Sequence, residues 1–518
     1  MPKQKTDDLI QLIRSLSRAE KRHFRLFVRR NQASDDILFL QLFDFLDKYK
    51  EYDENMILKK LPGIKKRQLS NLKAHLYKQL LISLRLLSTN HINDIQIREL
   101  IDFSKVLYDK GLYRQSLDVL EKAKQRSKVG EYLALNMEIL DFEKHIESQY
   151  ITRSIAGRAE QLTEETEVVS KALNSFNSFS NLSLQLYSLY LKVGYARSER
   201  DFYYVKEFFF SKLPNIAYQE LGFLGKLYYC QSFIWYYYIT QEFTMCYRYA
   251  QKWIDLYDKQ PEYIQIHPAL YLKGLHNLLN ALFNVWHYPK FKQVLEQLHD
   301  FPNQYDISKN INIQGLYHLY HYIHTIKLHF IQGSYDEGLK LVPQLEEIIE
   351  EDVYNWDNHR IMVFYYRIAC LYFGSGDNDK AIDYLNKIIN QKNPDYREDI
   401  QCFARILSLI AHFELGNMQL VEYQVKSVYR FLGKMKDLHE VQKEIVRFLR
   451  KTPRMQTSEL KQEFFELKGK LEKWQDEPFE RRPFLYLDII SWLESKIEGC
   501  TVKDITRKKH LEKQKILN

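Results

Sequence analysis

At 518 residues the chain exceeds what one hydrophobic core serves, so it either divides into domains or builds a repeat array. Its 17 Gly and 12 Pro are too few for the frequent turns of small β-domains or doubly wound sheets, and 45% hydrophobic with 27% charged residues excludes wholesale disorder. The net charge of +8 is unevenly spread: residues 1–90 hold 19 Lys or Arg against 10 Asp or Glu, residues 501–518 hold 6 against 2, and the stretch between them is slightly acidic.

The first residues, MPKQKTDDLIQLIRS, lack the apolar run of about 7–15 residues that an export signal needs, so a cytoplasmic protein is expected. Ser17 and Glu20 have capping-box spacing, and Phe24, Phe27 and Val28 supply an apolar face, so a helix begins there. Asp35 to Lys50 reads as a second helix, with Leu38, Leu42, Phe45, Leu46 and Tyr49 on one side. A short helix over Asp53 to Leu61 stops at Pro62-Gly63, and a long one runs from Ile64 to Leu87.

Residues 53–87 thus have the outline of a helix-turn-helix. Lys65, Lys66, Arg67, Gln68, Ser70, Asn71 and Lys73 fall at the exposed start of its second helix, while Leu69, Leu72, Leu76 and Leu80 face inward. A recognition helix offers polar residues to base edges and lysines to phosphates, which makes nucleic acid one expected partner. The plainer reading of the same charges is a solvated, Lys-rich face, and contact with an acidic partner is a third.

From about residue 100 the pattern becomes periodic on a longer scale. Gly111, Tyr113, Ser116, Leu120 and Ala123 share one spacing with Gly333, Tyr335, Gly338, Val342 and Leu345. Gly376, Asn378, Ala381, Leu385 and Ile388 share it too, with Pro394 closing the unit, and Gly416, Met418, Val421, Val425 and Val428 follow it more loosely. Weaker copies turn near Asp201, Gln241 and Trp286, and the turns at 241, 286, 333, 376 and 416 lie 40–47 residues apart. Each unit is a helical hairpin: a small or polar turn residue, an aromatic two positions on, and a small residue where the second helix meets the first.

These residues resemble the tetratricopeptide (TPR) family over roughly residues 100 to 430, most specifically at Tyr366, Ala369, Tyr372, Gly376, Ala381 and Pro394, although the family's Trp is missing from the first helix. The resemblance implies an α-solenoid whose concave face grips a peptide or helix. An open stack exposes apolar faces at both ends, so the flanking regions read as caps.

Phe223 to Thr240 is the most apolar stretch, but Lys226, Gln231 and Ser232 interrupt it and it reads as a buried aromatic helix. His318, His321, His324 and His329 lie along one helix, where spacings of three bring neighbours together. No third ligand is evident, so they read as packed groups. Cys230, Cys246, Cys370, Cys402 and Cys500 form no C-x-x-C pair, which fits a reducing compartment. The run from Lys503 to Lys515 reads as a frayed tail. No P-loop, G-x-S-x-G or H-E-x-x-H motif is present.

Together these readings give an all-α chain: a basic amino-terminal helical cap over 1–95, TPR-like hairpins forming an α-solenoid over 96–432, and a helical cap with a basic tail over 433–518. The expected role is that of a non-enzymatic protein-interaction scaffold or adaptor, with Tyr236, Tyr271, His318, His321 and Tyr366 on the surface that receives a protein or peptide. The alternative is a nucleic-acid-binding regulator using Lys65, Lys66, Arg67, Gln68, Asn71 and Lys73. Neither cofactor, metal nor membrane is expected.

Overall fold

The computed structural model describes residues 2–31, 38–49, 53–88, 92–149, 157–391, 398–434, 439–475, 477 and 479–517. Among these every regular element is a helix and no strand occurs, as an apolar period of 3.6 residues sustained between few breakers requires. Contacts divide the chain into two units, Met1–Leu173 and Asn174–Asn518.

In the first unit the local signals act where the sequence puts them. The Ser17 amide donates to the Glu20 carboxylate at 2.6 Å and the Glu20 amide to the Ser17 hydroxyl at 3.2 Å, opening the helix Arg18–Asn31. The helix expected over 35–50 is Leu38–Lys48, positions 35–37 and 50 lying outside the described residues. The Asp53 carboxylate accepts from the amides of Asn55 and Met56 and caps Glu54–Lys60; the chain then turns at Pro62-Gly63 into Lys66–Ser88. These helices enclose Phe24, Leu42, Phe43, Leu76 and Leu80.

Further along the first unit, Asn93–Asp109 and Tyr113–Val129 form a hairpin whose turn residue, Gly111, is left-handed at φ 74°. The two helices approach closely because small residues meet at the crossing. Ser104 Oγ donates to the Ser116 carbonyl at 3.0 Å and Ser116 Oγ to the Ser104 carbonyl at 2.9 Å. Beneath them Lys124 is buried, its ammonium 2.5 Å from Glu143 and 3.2 Å from Glu165, while Arg158 reaches Glu143 at 3.2 Å.

The second unit runs through helices paired in sequence: Phe223–Ile239 with Phe243–Lys259, Pro268–Asn284 with Tyr288–Gln304, Ile311–Gln332 with Tyr335–Leu339, Asn358–Ser375 with Asn378–Ile389, and Glu398–Glu414 with Met418–Lys434. From Pro268 onward, the first helices of successive pairs also meet one another. The expected turns fall at left-handed residues: Gln241 (φ 61°), Trp286 (57°), Gly333 (63°), Gly376 (95°) and Gly416 (74°). Non-glycine residues at 241 and 286 bear the strain of that conformation, which is why those two copies are faint in sequence.

The turn expected near Asp201 comes earlier, at Gly194 (φ 71°), because Ser198 caps the helix Glu199–Lys212 and Asp201 lies inside it. Pro394 lies outside the described residues. Phe223–Ile239 is buried along most of its length, with Cys230, Gln231 and Ser232 all inside. Among the described residues no helix is long and apolar enough to cross a membrane.

Aromatics beside the turns pack as the spacing requires: the Tyr335 ring sits so close to Gly374 on the next pair that a Cβ there would lie 2.5 Å from it. The run expected as a frayed tail is instead the helix Val502–Leu517, packed on Ile311–Gln332 and Asn358–Ser375. Ile505 and Thr506 are buried, which supplies the apolar and polar anchors that a composition count misses. Tyr335 and Thr506 hydroxyls meet at 3.2 Å, Lys503 pairs with Asp336, and Lys513 sits 3.8 Å over the Trp286 ring.

Candidate functional site

A cavity of about 1590 Å³ opens within residues 174–518. Three helices present it with helical stripes. Pro268–Asn284 contributes Lys273, His276, Asn277 and Asn280, spaced i, i+3, i+4, i+7; Ile311–Gln332 contributes Leu316, Leu319, Tyr320, Ile323 and Lys327; Asn358–Ser375 contributes Arg360, Val363, Tyr366, Arg367 and Cys370. Tyr187 and Trp235, 5.1 Å apart, extend the wall as an aromatic surface.

The floor holds a buried lysine beside partly buried polar groups of the neighbouring helix. Lys327 is wholly buried and donates to Asn280 Oδ1 at 2.5 Å, its ammonium 4.5 Å over the Phe283 ring. Among the described residues no carboxylate is paired with it. An ammonium only donates, so Asn280 must turn its oxygen to Lys327 and its NH2 to His276 Nε2, 2.9 Å away. His276 therefore carries its proton on Nδ1 and donates it to His324 Nε2 at 2.9 Å. That leaves the His324 Nδ1–H, in a ring with no exposure, without a protein acceptor.

Both histidines in this chain must be neutral, since a second proton on either would set two donors face to face. Their environment enforces the same result. Burial pushes His276 well below the ordinary histidine range, and Lys327, Arg367, Lys273 and Arg360 push it the same way. Burial, then His276, Lys327 and Arg367, do likewise to His324. Lys327 is held well below the usual ammonium range by burial and by Arg367, and Lys273 is lowered by burial.

Among the described residues seven Lys and Arg line the cavity against two carboxylates, and both of these carboxylates are engaged. Asp357 caps its own helix and pairs with Arg360 at 3.4 Å, and Asp488 caps Ile489–Glu498. Among the described residues Lys273 makes no hydrogen bond or ion pair through its side chain.

Of the five aromatic and histidine residues singled out from sequence, Tyr366 lines this cavity, its hydroxyl donating to the Tyr486 carbonyl at 3.2 Å. The other four sit on other faces of the same helices or their neighbours. Tyr236 stacks on Phe209 at 4.4 Å, and Tyr271 packs edge-on to Tyr257. His318 stacks on Tyr354, and His321 lies 4.7 Å from the His299 ring. The four histidines of Ile311–Gln332 go to four different neighbours, His329 meeting Ser334. Among the described residues no group of three or more His, Cys, Asp or Glu is placed to hold a metal ion.

This polar stripe was missed in sequence, although in PALYLKGLHNLLNALFN the residues 273, 276, 277 and 280 fall on one face of a largely apolar helix. In the first unit Lys65, Lys66, Arg67, Gln68 and Asn71 are all exposed around the start of Lys66–Ser88, and Lys73 is half-buried. No family model, curated protein or solved structure matches the chain.

Proposed function

We propose that the chain is a TPR-like α-solenoid, a non-enzymatic scaffold of the reducing cytoplasm, that grips a helical or extended segment of a partner protein along the face its successive first helices share. The single observation behind this reading is that the chain already holds a helix there. Val502–Leu517 crosses Ile311–Gln332 and Asn358–Ser375, fastened by the Tyr335–Thr506 contact, the Lys503–Asp336 pair, His510 against the Tyr288 ring and Lys513 over Trp286. A surface built from stacked first helices accepts such a segment through apolar burial along its length and polar contacts at its turns. Five free cysteines, three of them buried, suit a reducing compartment.

The test is a photo-cross-linking residue at Val363, in the full chain and in its native host. A discrete adduct containing one other polypeptide, lost when unlabelled partner competes, is the expected result. Cross-links confined to the chain's own 482–517 region count against the proposal.

The exposure of Lys65, Lys66, Arg67, Gln68 and Asn71 favours a second reading, a nucleic-acid-binding regulator. It requires salt-dependent binding to duplex DNA that weakens when Lys65, Lys66 and Arg67 become Ser, each lost phosphate contact reducing the log–log salt slope by about 0.9. No binding at low salt removes it.

A further inference from the structure

We propose that the mouth of the cavity binds an aromatic residue of an extended partner segment, its ring on Tyr187 and Trp235 and its main-chain peptide group on Gln231 and Ser183. This rests on the scaffold reading for its partner and names what the scaffold takes hold of.

The first step is a pair of buried polar side chains with nothing to bond. Gln231 and Ser183 both line the cavity, at 3% and 4% exposure. Among the described residues neither side chain makes a hydrogen bond, and Gln231 Oε1 is sealed from solvent as well. Buried polar groups without partners are destabilising, and folded proteins keep few of them. Phe179 meets Tyr229 and Tyr187 meets Trp235, so Ser183 and Gln231 lie between those two contacts on facing helices. A carboxamide offers a donor and an acceptor in one plane, and a half-turn about its last bond exchanges them. A peptide group answers both, and it is free to do so only where its own chain is not helical.

The second step is the surface beside that pair. Trp235 stands one turn beyond Gln231 on the same face of Phe223–Ile239, and Tyr187 one turn beyond Ser183 on Arg158–Val193. Tyr187 is 41% exposed, and Leu184 and Leu191, exposed on either side of it, continue its stripe. Open rings one helical turn from unused bonding groups suit a residue that carries a flat ring on a short stem.

The third step identifies the occupant as polypeptide. At the other end of the same cavity the chain's own residues 481–487 are held in this manner. The Tyr486 ring stacks on Phe403 with centroids 4.4 Å apart and planes 6° apart, and its carbonyl accepts from the Tyr366 hydroxyl at 3.2 Å. The segment starts at Arg481, which lies 5.5 Å over the Phe243 ring and donates to the Gln241 carbonyl. From Phe243 the rings run on through Tyr238, Tyr190 and Trp235 to Tyr187, in steps of 6.1, 5.5, 5.4 and 5.1 Å. The aromatic row on which the chain's own segment begins therefore leads directly to the unbonded pair. The cavity, about 1590 Å³, also exceeds the roughly 300–1,000 Å³ of small-molecule sites, which leaves length for a segment.

The experiment is fluorine NMR of the full chain labelled with fluorotryptophan, the Trp235 signal being assigned by its absence from Trp235→Phe. The probes are N-acetylphenylalaninamide, the same compound methylated at its amide nitrogens, and N-acetylalaninamide. The first is expected to shift the Trp235 signal saturably, about tenfold more tightly than either of the others. Gln231→Leu is expected to erase the advantage of the first probe over its methylated form while melting no lower than the unaltered chain. Tyr187→Ala, at an exposed position, is expected to weaken both. The proposal is overturned if the first probe gives no saturable shift up to about 10 mM, or if the methylated form binds as tightly, so that any aromatic molecule serves. It is equally overturned if Gln231→Leu keeps the advantage, or if the signal moves with protein concentration alone, which makes a second copy the occupant. The Val363 cross-link reads separately. A partner adduct that forms equally in Gln231→Leu and Tyr187→Ala keeps the scaffold and rejects this anchor, whereas a missing adduct with the probe still bound counts against the face around Val363 and not against the anchor.

Discussion

Lys124 in the first unit and Lys327 in the second are both buried lysines on helices, and their surroundings are opposites. Lys124 is met by Glu143 at 2.5 Å and Glu165 at 3.2 Å, and Arg158 shares Glu143 from the other side. Lys327 is met by an amide oxygen and a phenyl ring, and its pKa is lowered first by burial and then by Arg367. The first arrangement is closed: its charges answer one another, and it ties Tyr113–Val129 to Leu133–Gln149. The second is open: among the described residues no carboxylate meets the lysine, and its contacts are an amide oxygen and an aromatic ring.

Removing each lysine in turn has the largest expected effect. Lys124→Met leaves Glu143 buried with only Arg158, and breaking a buried pair from one side costs about 3–5 kcal/mol. The retained Arg158 contact puts the expected loss at the lower end, about 3 kcal/mol. Lys327→Met breaks no ion pair among the described residues but leaves Asn280 Oδ1 without its donor; Asn280 borders the cavity, where water can take the donor's place, so the expected loss is smaller, about 1 kcal/mol. Because two units need not unfold together, the readout is amide exchange in Tyr113–Val129 for one variant and in Ile311–Gln332 for the other. Equal losses in both would make the two lysines alike and end the argument.

Acid sharpens the same contrast. His276 and His324 have folded-state pKa values depressed below the unfolded value, so above about pH 6.5 both states are neutral and nothing is at stake. As pH falls through 6.5 the unfolded chain takes up protons that the folded chain refuses, and stability drops, by up to about 1.4 kcal/mol per histidine at pH 5.5. In the first unit Glu143, raised by burial despite Lys124, and Glu165, lowered by Lys124 and Lys128 despite burial, pull in opposite directions on acidification. Protection in Ile311–Gln332 should therefore fall between pH 7.5 and 5.5 while that in Tyr113–Val129 changes little. A pH-independent second unit would mean that the relay from Lys327 to His324 is not as drawn.

The helices and most turns were legible in sequence because they rest on local physics. Capping at Ser17, breaking at Pro62-Gly63 and left-handed glycines at 111, 333, 376 and 416 need no knowledge of the rest of the chain. The cavity floor was not legible from the same signals. Ile311–Gln332 buries residues around most of its circumference, with Tyr317, Tyr320, Tyr322, His324 and Lys327 all inside, so no polar or apolar stripe tells which side faces the opening. His318 and His321 stood out by residue type, yet Lys327, six residues after His321, is the one that reaches the cavity. Only the packing of Asn280 and His276 from a helix some 50 residues earlier distinguishes it.

A smaller effect separates two glycines. Gly333 (φ 63°) and Gly376 (φ 95°) both suffer backbone strain if changed to Ala, of order 1 kcal/mol. A Cβ at Gly333 also meets the backbone of the carboxy-terminal helix, 2.9 Å from the Arg507 nitrogen and 3.0 Å from the Lys503 carbonyl, whereas one at Gly376 meets nothing within 4 Å. Gly333→Ala should speed exchange across Val502–Leu517, and Gly376→Ala should leave that helix as it is. If both variants behave alike, the helix is not held at the 333 turn.

The smallest effect distinguishes charges already used from those still available. Lys21 and Arg25 belong to the same basic region as Lys65, Lys66 and Arg67, but Lys21 pairs with Asp47 at 2.7 Å, and Arg25 reaches Asp44 and Asp47, both at 2.8 Å, while lying over the Phe43 ring. Lys65, Lys66 and Arg67 are exposed and, among the described residues, paired with no carboxylate. Replacing these three by Ser is expected to leave the unfolding midpoint of the first unit unchanged, whereas Arg25→Ser, which frees Asp44, leaves Asp47 to Lys21 alone and uncovers Phe43, lowers it measurably. A drop in the triple variant as large as that in Arg25→Ser would mean the three charges support the fold, and would remove the reason for setting them against a partner.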